Sequence, residues 1–173
     1  MSGRDAGGWP QRPTKRYPYV DDGPAIYLDS FATIRRESRL DAVPADAERL
    51  AVRMIHGSGQ TDLVDDLVIH PSLVSAARSA LMLGAPILTD ARMVAMGITA
   101  GRLPADNEVH CFLTDPRVPR LAAAWGTTRT AAAVSLWEPL LDGAVVAIGN
   151  APTALFHLLE MLLDGGPRPA AIV

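Results

Sequence analysis

Val145-Val146-Ala147-Ile148-Gly149-Asn150-Ala151-Pro152-Thr153-Ala154-Leu155-Phe156 reads as a buried strand that turns through a glycine directly into a helix. Val145 to Ile148 is a short apolar, β-rich run of the kind found in a sheet covered on both faces. Pro152 suits a first helical turn, where its missing N–H costs no hydrogen bond, and Gly165-Gly166 supplies the stop. In an open α/β sheet such a turn lies at the carboxyl edge of the strands, where ligands bind. The free N–H groups of the helix start favour an anion there. An ordinary strand-to-helix connection accounts for the same residues, and the fold does not by itself assign a function.

The segments around this stretch extend the alternation. Leu67-Val68-Ile69 reads as a short strand, Pro71 to Leu83 as a helix closed by Gly84, and Ala85 to Thr89 as a strand running into Asp90. A short helix then stops at Gly97. After a loop from Thr99 to Asn107 come a strand from Val109 to Leu113 and helices over Pro116 to Trp125 and Thr130 to Leu140. Ala170 to Val173 begins one more strand. Strands separated by helical segments predict a doubly wound, mainly parallel sheet with helices on both faces, a three-layer α/β/α fold. A strand that begins at Ala170 with no covering helix after it leaves apolar surface and a sheet edge open, which predicts marginal stability or self-association.

Composition bounds the rest. With 173 residues, 49% of them hydrophobic, the chain is long enough for one domain with a real core. Residues 1–18, rich in Gly, Pro and charge without periodicity, read as a flexible extension, and 19–173 as the folded domain. No run approaches the ~18 apolar residues of a membrane span. The net charge of −3 without a basic cluster argues against nucleic acid as the main partner. A single cysteine, Cys111, and a start without the apolar core of a secretory signal point to a reducing cytoplasm.

Asp22-Gly23-Pro24 opens a helix whose apolar face includes Ala25, Leu28, Phe31, Ala32 and Ile34. Ser30 falls mid-helix, where its hydroxyl either back-bonds to the preceding turn or reaches a ligand. Asp41 to Pro44 restarts the chain into a second helix with Ala47, Leu50, Ala51, Met54 and Ile55 on its core-facing stripe. It stops at His56-Gly57-Ser58-Gly59, which leaves His56 in the last turn. The helix dipole there favours an imidazolium by roughly 0.3–1 kcal/mol, a setting for a proton donor as well as for an ordinary terminal residue.

Several chemistries are excluded by spacing. Gly57-Ser58-Gly59 follows a helix, whereas a dinucleotide fingerprint needs its glycines between a strand and a helix. The Gly149 turn lacks the further glycines and lysine of a nucleotide-binding loop. His56, His70, His110 and His157 show no paired metal-ligand spacing, and adjacent His110 and Cys111 point to opposite faces of a strand. No nucleophile elbow is present. Arg129, at the start of an alanine-rich helix, has the wrong sign for the helix dipole. It is tolerable if exposed, and well placed if an anion sits between its guanidinium and the helix N–H groups.

Taken together, Ala25-Ile26-Tyr27 with Ser30-Phe31, Val52 to His56, Gly84 to Leu88, Arg102-Leu103-Pro104 with Asn107-Glu108-Val109, Thr128-Arg129, and above all Ala147 to Phe156 resemble the precorrin-8X methylmutase family of vitamin B12 biosynthesis. The resemblance runs from about Asp22 to Val173. It implies an isomerase that moves a methyl group from C11 to C12 of the tetrapyrrole precorrin-8X, giving hydrogenobyrinate without an external cofactor, as a homodimer on a doubly wound sheet. It puts the family's catalytic histidine on His56, as a general acid assisting a 1,5-sigmatropic shift, and substrate-binding residues on Ser30, Thr99 and Arg129. The substrate's many carboxylates would account for Arg129. Turn geometry adds Asn150 and Thr153 as further binding candidates.

Three differences from the family pattern stand out. Ser58 and Thr89 replace cysteines common in the family and are near-isosteric. The family also continues with a Glu-Ser-Lys segment and a final glycine-rich strand-helix unit that this sequence does not contain. The alternative function, from a different class, is a non-catalytic tetrapyrrole-binding protein or an inactive fragment of the isomerase.

Overall fold

The computed structural model describes residues 8–10 and 13–173. Of the expected extension over 1–18, residues 1–7, 11 and 12 lie outside the described residues. The described chain divides after Val68 into two compact units.

In the first unit, helix α1 (Gly23–Glu37) opens where the sequence places it. The Asp22 carboxylate accepts the Ala25 N–H at 3.2 Å, and Pro24 occupies the first turn. Helix α2 spans Glu48–Ser58 and starts later than the sequence suggests, behind two single 3-10 turns, Leu40–Ala42 and Ala45–Ala47. Pro44 explains the delay, since the residue before a proline is driven out of the helical region and Val43 is extended. The helix closes at Gly59, which has φ +71° and donates its N–H to the Ile55 carbonyl at 2.8 Å.

Ile34, Val52, Ile55 and Val64 form the buried core of this unit, with Phe31, Leu40, Val43 and Leu63 packed against it. The stripe on α2 is rotated from the expected one: Val52 is 1% exposed and Met54 is 39% exposed. Leu67-Val68-Ile69 is not a strand. The 3-10 segment Thr61–Asp66 precedes it, and Val68 points into solvent, so it has neither a neighbour to pair with nor a face to cover.

The second unit carries helix α3 (Leu73–Met82), strand β1 (Ile87–Thr89), helix α4 (Arg92–Gly97), strand β2 (Val109–His110) and helices α5 (Val118–Trp125), α6 (Arg129–Val134) and α7 (Glu138–Leu141). Strand β3 (Val145–Ala147), helix α8 (Pro152–Leu163) and strand β4 (Ala171–Ile172) follow. The four strands form one sheet of order β2-β1-β3-β4, parallel throughout, with Ile87 opposite both Val109 and Val145, and Val145 opposite Ala171. The expected α/β fold is therefore present. Side-chain alternation separates the two faces. Leu88 and Val146 join Val134, Trp137, Leu141, Ala154 and Leu158 in the core beneath α6 to α8, while α3 contacts β3 and β4. No helix among the described residues is long and apolar enough to cross a membrane.

Two elements are interrupted where the sequence predicts continuity. The strand expected over Val109 to Leu113 ends at His110, and Phe112–Thr114 winds into a 3-10 turn. The helix expected over Thr130 to Leu140 breaks into α6, a 3-10 turn (Ser135–Trp137) and α7. Pro139 has no N–H to return to the preceding turn, which is why the α-helical pattern cannot run through it.

A buried asparagine fixes the long loop before β2. Asn107 donates from Nδ2 to the carbonyls of Leu81 and Ala85, both at 2.9 Å, and its Oδ1 accepts the Ala105 N–H at 3.2 Å. The loop is thereby tied to the end of α3 and the approach to β1, where Gly84 takes φ +85°. Asn107→Ala is expected to destabilise the protein by about 1–3 kcal/mol, because it strands polar groups that are shielded from water. The urea midpoint checks this, and an unchanged midpoint would mean the loop is held by other contacts.

Candidate functional site

Packing of α1 against α2 brings Ser30 to His56. The Ser30 hydroxyl and His56 Nδ1 lie 2.8 Å apart, so the side chain neither back-bonds to its own helix nor stands free. His56 sits in the last turn of α2, exposed, beside two aromatic rings. The Tyr27 ring centroid lies 5.1 Å from that of the imidazole, and the Phe31 ring meets it edge-on at 5.2 Å. Arg53, one turn earlier on α2, lies over the Phe31 ring at 5.6 Å. On its other side Ser30 borders a mainly apolar cavity of about 310 Å³ lined also by Val20, Ala25, Ile26 and Asp29.

Chemically, this is a histidine held by one nitrogen. With Nδ1 engaged by Ser30, Nε2 is left to exchange a proton with a bound molecule, and the two rings restrict how the imidazole can turn. The local sequence explains the placement. Tyr27, Ser30 and Phe31 share one side of α1 through their three- and four-residue spacings, and the Gly59 stop leaves His56 at the helix end.

The second unit places Arg129, Asn150 and Thr153 around the starts of α6 and α8. Thr128 caps α6 by accepting the Ala131 N–H at 3.1 Å, and its Oγ1 shares a hydrogen bond with Thr153 Oγ1 at 2.9 Å. Arg129, next in the chain, is exposed, as are Asn150 and Thr153. Thr99 stands exposed at the start of the 3-10 turn Ala100–Arg102 and is not joined by a hydrogen bond to the other three.

The expectation of free N–H groups at the helix start does not extend to the turn before α8. Asp90, which follows β1 and is only 2% exposed, accepts the N–H groups of Gly149 at 3.2 Å, Asn150 at 3.0 Å and Ala151 at 2.7 Å. The anion favoured at this turn is therefore supplied by the chain itself. Gly149 is required by the same packing, since a Cβ there would come within 2.9 Å of Val94 Cγ2 on α4. Sequence reasoning assigned Asp90 no role. The available signal was an acidic residue directly after a buried strand in a parallel sheet, at the edge where ligands and helix starts meet. Among the described residues no cluster of three histidine, cysteine or acidic side chains is placed to hold a metal ion.

Comparison with known proteins gives a consistent result. The family model described as precorrin-8X methylmutase matches residues 25–173. The precorrin-8X methylmutase of a Sinorhizobium species is 58% identical over 157 residues, spanning 91% of this chain and 75% of the relative. That of Pseudomonas aeruginosa is 57% identical over 155 residues, spanning 90% and 74%. The crystal structure of the precorrin-8X methylmutase from Thermus thermophilus superposes with a TM-score of 0.76 at 37% identity, covering 87% of this chain and 73% of that one.

Proposed function

The chain belongs to the precorrin-8X methylmutase family, and we propose on that premise that it is a cytoplasmic isomerase of cobalamin biosynthesis, moving the C11 methyl group of precorrin-8X to C12 to give hydrogenobyrinate. The observation that carries the mechanism is the 2.8 Å contact between Ser30 and His56 Nδ1. In the acid form, His56 donates its Nδ1 proton to the Ser30 oxygen and offers the Nε2 proton to the macrocycle. After transfer the imidazole keeps the Nδ1 proton, so the Ser30 contact needs no rearrangement. An isomerisation has no net proton change, and the neutral imidazole is then the base that recovers a proton once the methyl group has moved.

Binding falls to polar groups of the second unit. Arg129 holds a peripheral carboxylate through its guanidinium, while Thr99, Asn150 and Thr153 supply neutral hydrogen bonds. Ser30 also faces the cavity beside α1, whose size suits a side arm of the tetrapyrrole. The residues in these roles bring no cofactor into the scheme. The active form is a homodimer, supported by the apolar face that α8 shows to solvent, where Leu155, Phe156, Leu159 and Leu163 are 36%, 64%, 42% and 87% exposed.

His56→Asn is expected to abolish methyl migration, followed as the change in the absorption spectrum of the conjugated ring, while precorrin-8X still binds. Ser30→Ala should slow turnover and leave binding within a few fold. Normal turnover by His56→Asn would remove the acid assignment. Stoichiometric binding without turnover by the unaltered chain would favour the tetrapyrrole-binding alternative.

Arg129→Ala should weaken precorrin-8X binding by about 1.5–3 kcal/mol, or roughly 10- to 150-fold, as expected for a lost charge-assisted hydrogen bond. Titration at low ionic strength reads this directly, and unchanged affinity would rule the contact out. Sedimentation equilibrium should find a dimer that Leu159→Glu converts to monomer. A monomeric unaltered chain would overturn the homodimer.

A further inference from the structure

At the centre of the sheet, β1 and β3 are neighbours, but the strands that follow them lie on opposite sides: β2 flanks β1 and β4 flanks β3. The chain therefore parts at the carboxyl ends of β1 and β3, where open α/β sheets bind ligands. Asp90 fills this parting from the β1 side and takes three of the four N–H groups between β3 and α8, those of Gly149, Asn150 and Ala151, while the Ile148 N–H goes to the Val173 carbonyl. Among the described residues its carboxylate forms no ion pair and is met by those three backbone N–H groups. Burying a carboxylate costs several kcal/mol. A helix start needs much less, since an exposed serine, threonine or asparagine caps one at little cost.

What this arrangement secures is the backbone of residues 149–151, which carries the exposed side chain of Asn150 and leads into the first turn of α8, where Thr153 is bonded to Thr128 beside Arg129. It also fills a turn that would otherwise attract any carboxylate, because a second anion close to Asp90 is repelled at short range. We infer that Asp90 is a positioning residue: it sets the turn that presents Asn150 and Thr153 to substrate and bars an anionic group from that turn, which sends substrate carboxylates to Arg129. The inference rests on the isomerase reading for the identity of the substrate, and on the geometry alone for the state of the turn.

The test compares the full chain with Asp90→Ala and Asp90→Asn, with and without millimolar formate, an anion small enough to replace the lost carboxylate. With precorrin-8X, Asp90→Ala should raise KM by about tenfold or more and leave kcat nearly unchanged. Formate should restore KM in Asp90→Ala and have no effect on the unaltered chain. Asp90→Asn, which keeps the shape but offers one acceptor oxygen, should fall between. A KM at the wild-type value in a folded variant, or a fall in kcat with KM held, would overturn the role.

Amide hydrogen exchange decides the matter separately from activity. In Asp90→Ala the amides of residues 149–151 should exchange about tenfold faster and be slowed again by formate, while Val145 and Ile148 in the sheet keep their protection. Equal acceleration through the sheet would mark Asp90 as merely structural and overturn the inference. If the unaltered chain does not turn over precorrin-8X, the isomerase reading fails and the exchange result still tests the positioning of the turn. If Asp90→Ala does not fold, Asp90→Asn carries the same measurements.

Discussion

The three hydrogen bonds that the buried Asp90 carboxylate accepts from Gly149, Asn150 and Ala151 tie the end of β1 to the turn that leaves β3 at the carboxyl edge of the sheet. Hydrogen bonds to a charged group contribute about 1.5–3 kcal/mol each. Three of them are of the size needed to offset the several kcal/mol of taking a carboxylate out of water. Remove the charge and three backbone donors lose their partner together. Gly149 depends on the same contact from the other side, because the turn can approach Asp90 only by pressing its backbone against Val94, where no side chain fits. The organising stretch is thus fixed by a residue sixty positions earlier in the chain, and its own composition states only half of the interaction.

The Ser30–His56 pair follows a different physical logic. It lies at the surface, its histidine is open to solvent, and what stabilises it is packing of α1 on α2 through Ile34, Val52 and Ile55 rather than any buried charge. An imidazole in the proposed acid role has to meet both requirements at once: one nitrogen fixed so that the ring is oriented, and the other open so that a proton can move. Tyr27 and Phe31 add orientation without adding charge, and among the described residues it is the Ser30 hydroxyl that hydrogen-bonds to the ring.

Legibility in the sequence tracks the separation between interacting residues. Signals that act within four residues were readable: the Asp22 cap, the left-handed glycines at 59, 84 and 165, and the Pro152 start all sit where local chemistry puts them. The parallel sheet was readable because its strands are nearly continuous apolar runs separated by helices. Element ends were less so, since Pro44 and Pro139 act on the residues before them and break patterns that hydrophobic spacing alone would continue. Leu67-Val68-Ile69 misled for a related reason: three β-prone residues form a strand only beside another strand, and pairing is decided by the fold. Ser30, His56, Thr99, Arg129, Asn150 and Thr153 could be named from the sequence as candidates. The partners of Ser30 and of the Asn150 N–H could not, as they lie 26 and 60 residues away.

The starts of α6 and α8, linked by the hydrogen bond between Thr128 and Thr153, resolve the same electrostatic problem in opposite ways. Each helix start is a pole of positive potential. At the turn into α8 the potential is met by an internal carboxylate that is only 2% exposed. At α6 no acidic residue occupies the first turn, and Arg129 adds positive charge where the dipole already supplies it. A fold selected only for stability has no reason to neutralise one start with a buried charge and leave its neighbour doubly positive. The asymmetry makes sense if this edge of the sheet has to discriminate: closed to anions at one helix start, open to them beside the other. For the ligand proposed above, which carries several carboxylates around a rigid ring, that contrast would favour the poses that direct a carboxylate toward Arg129 and away from Asp90.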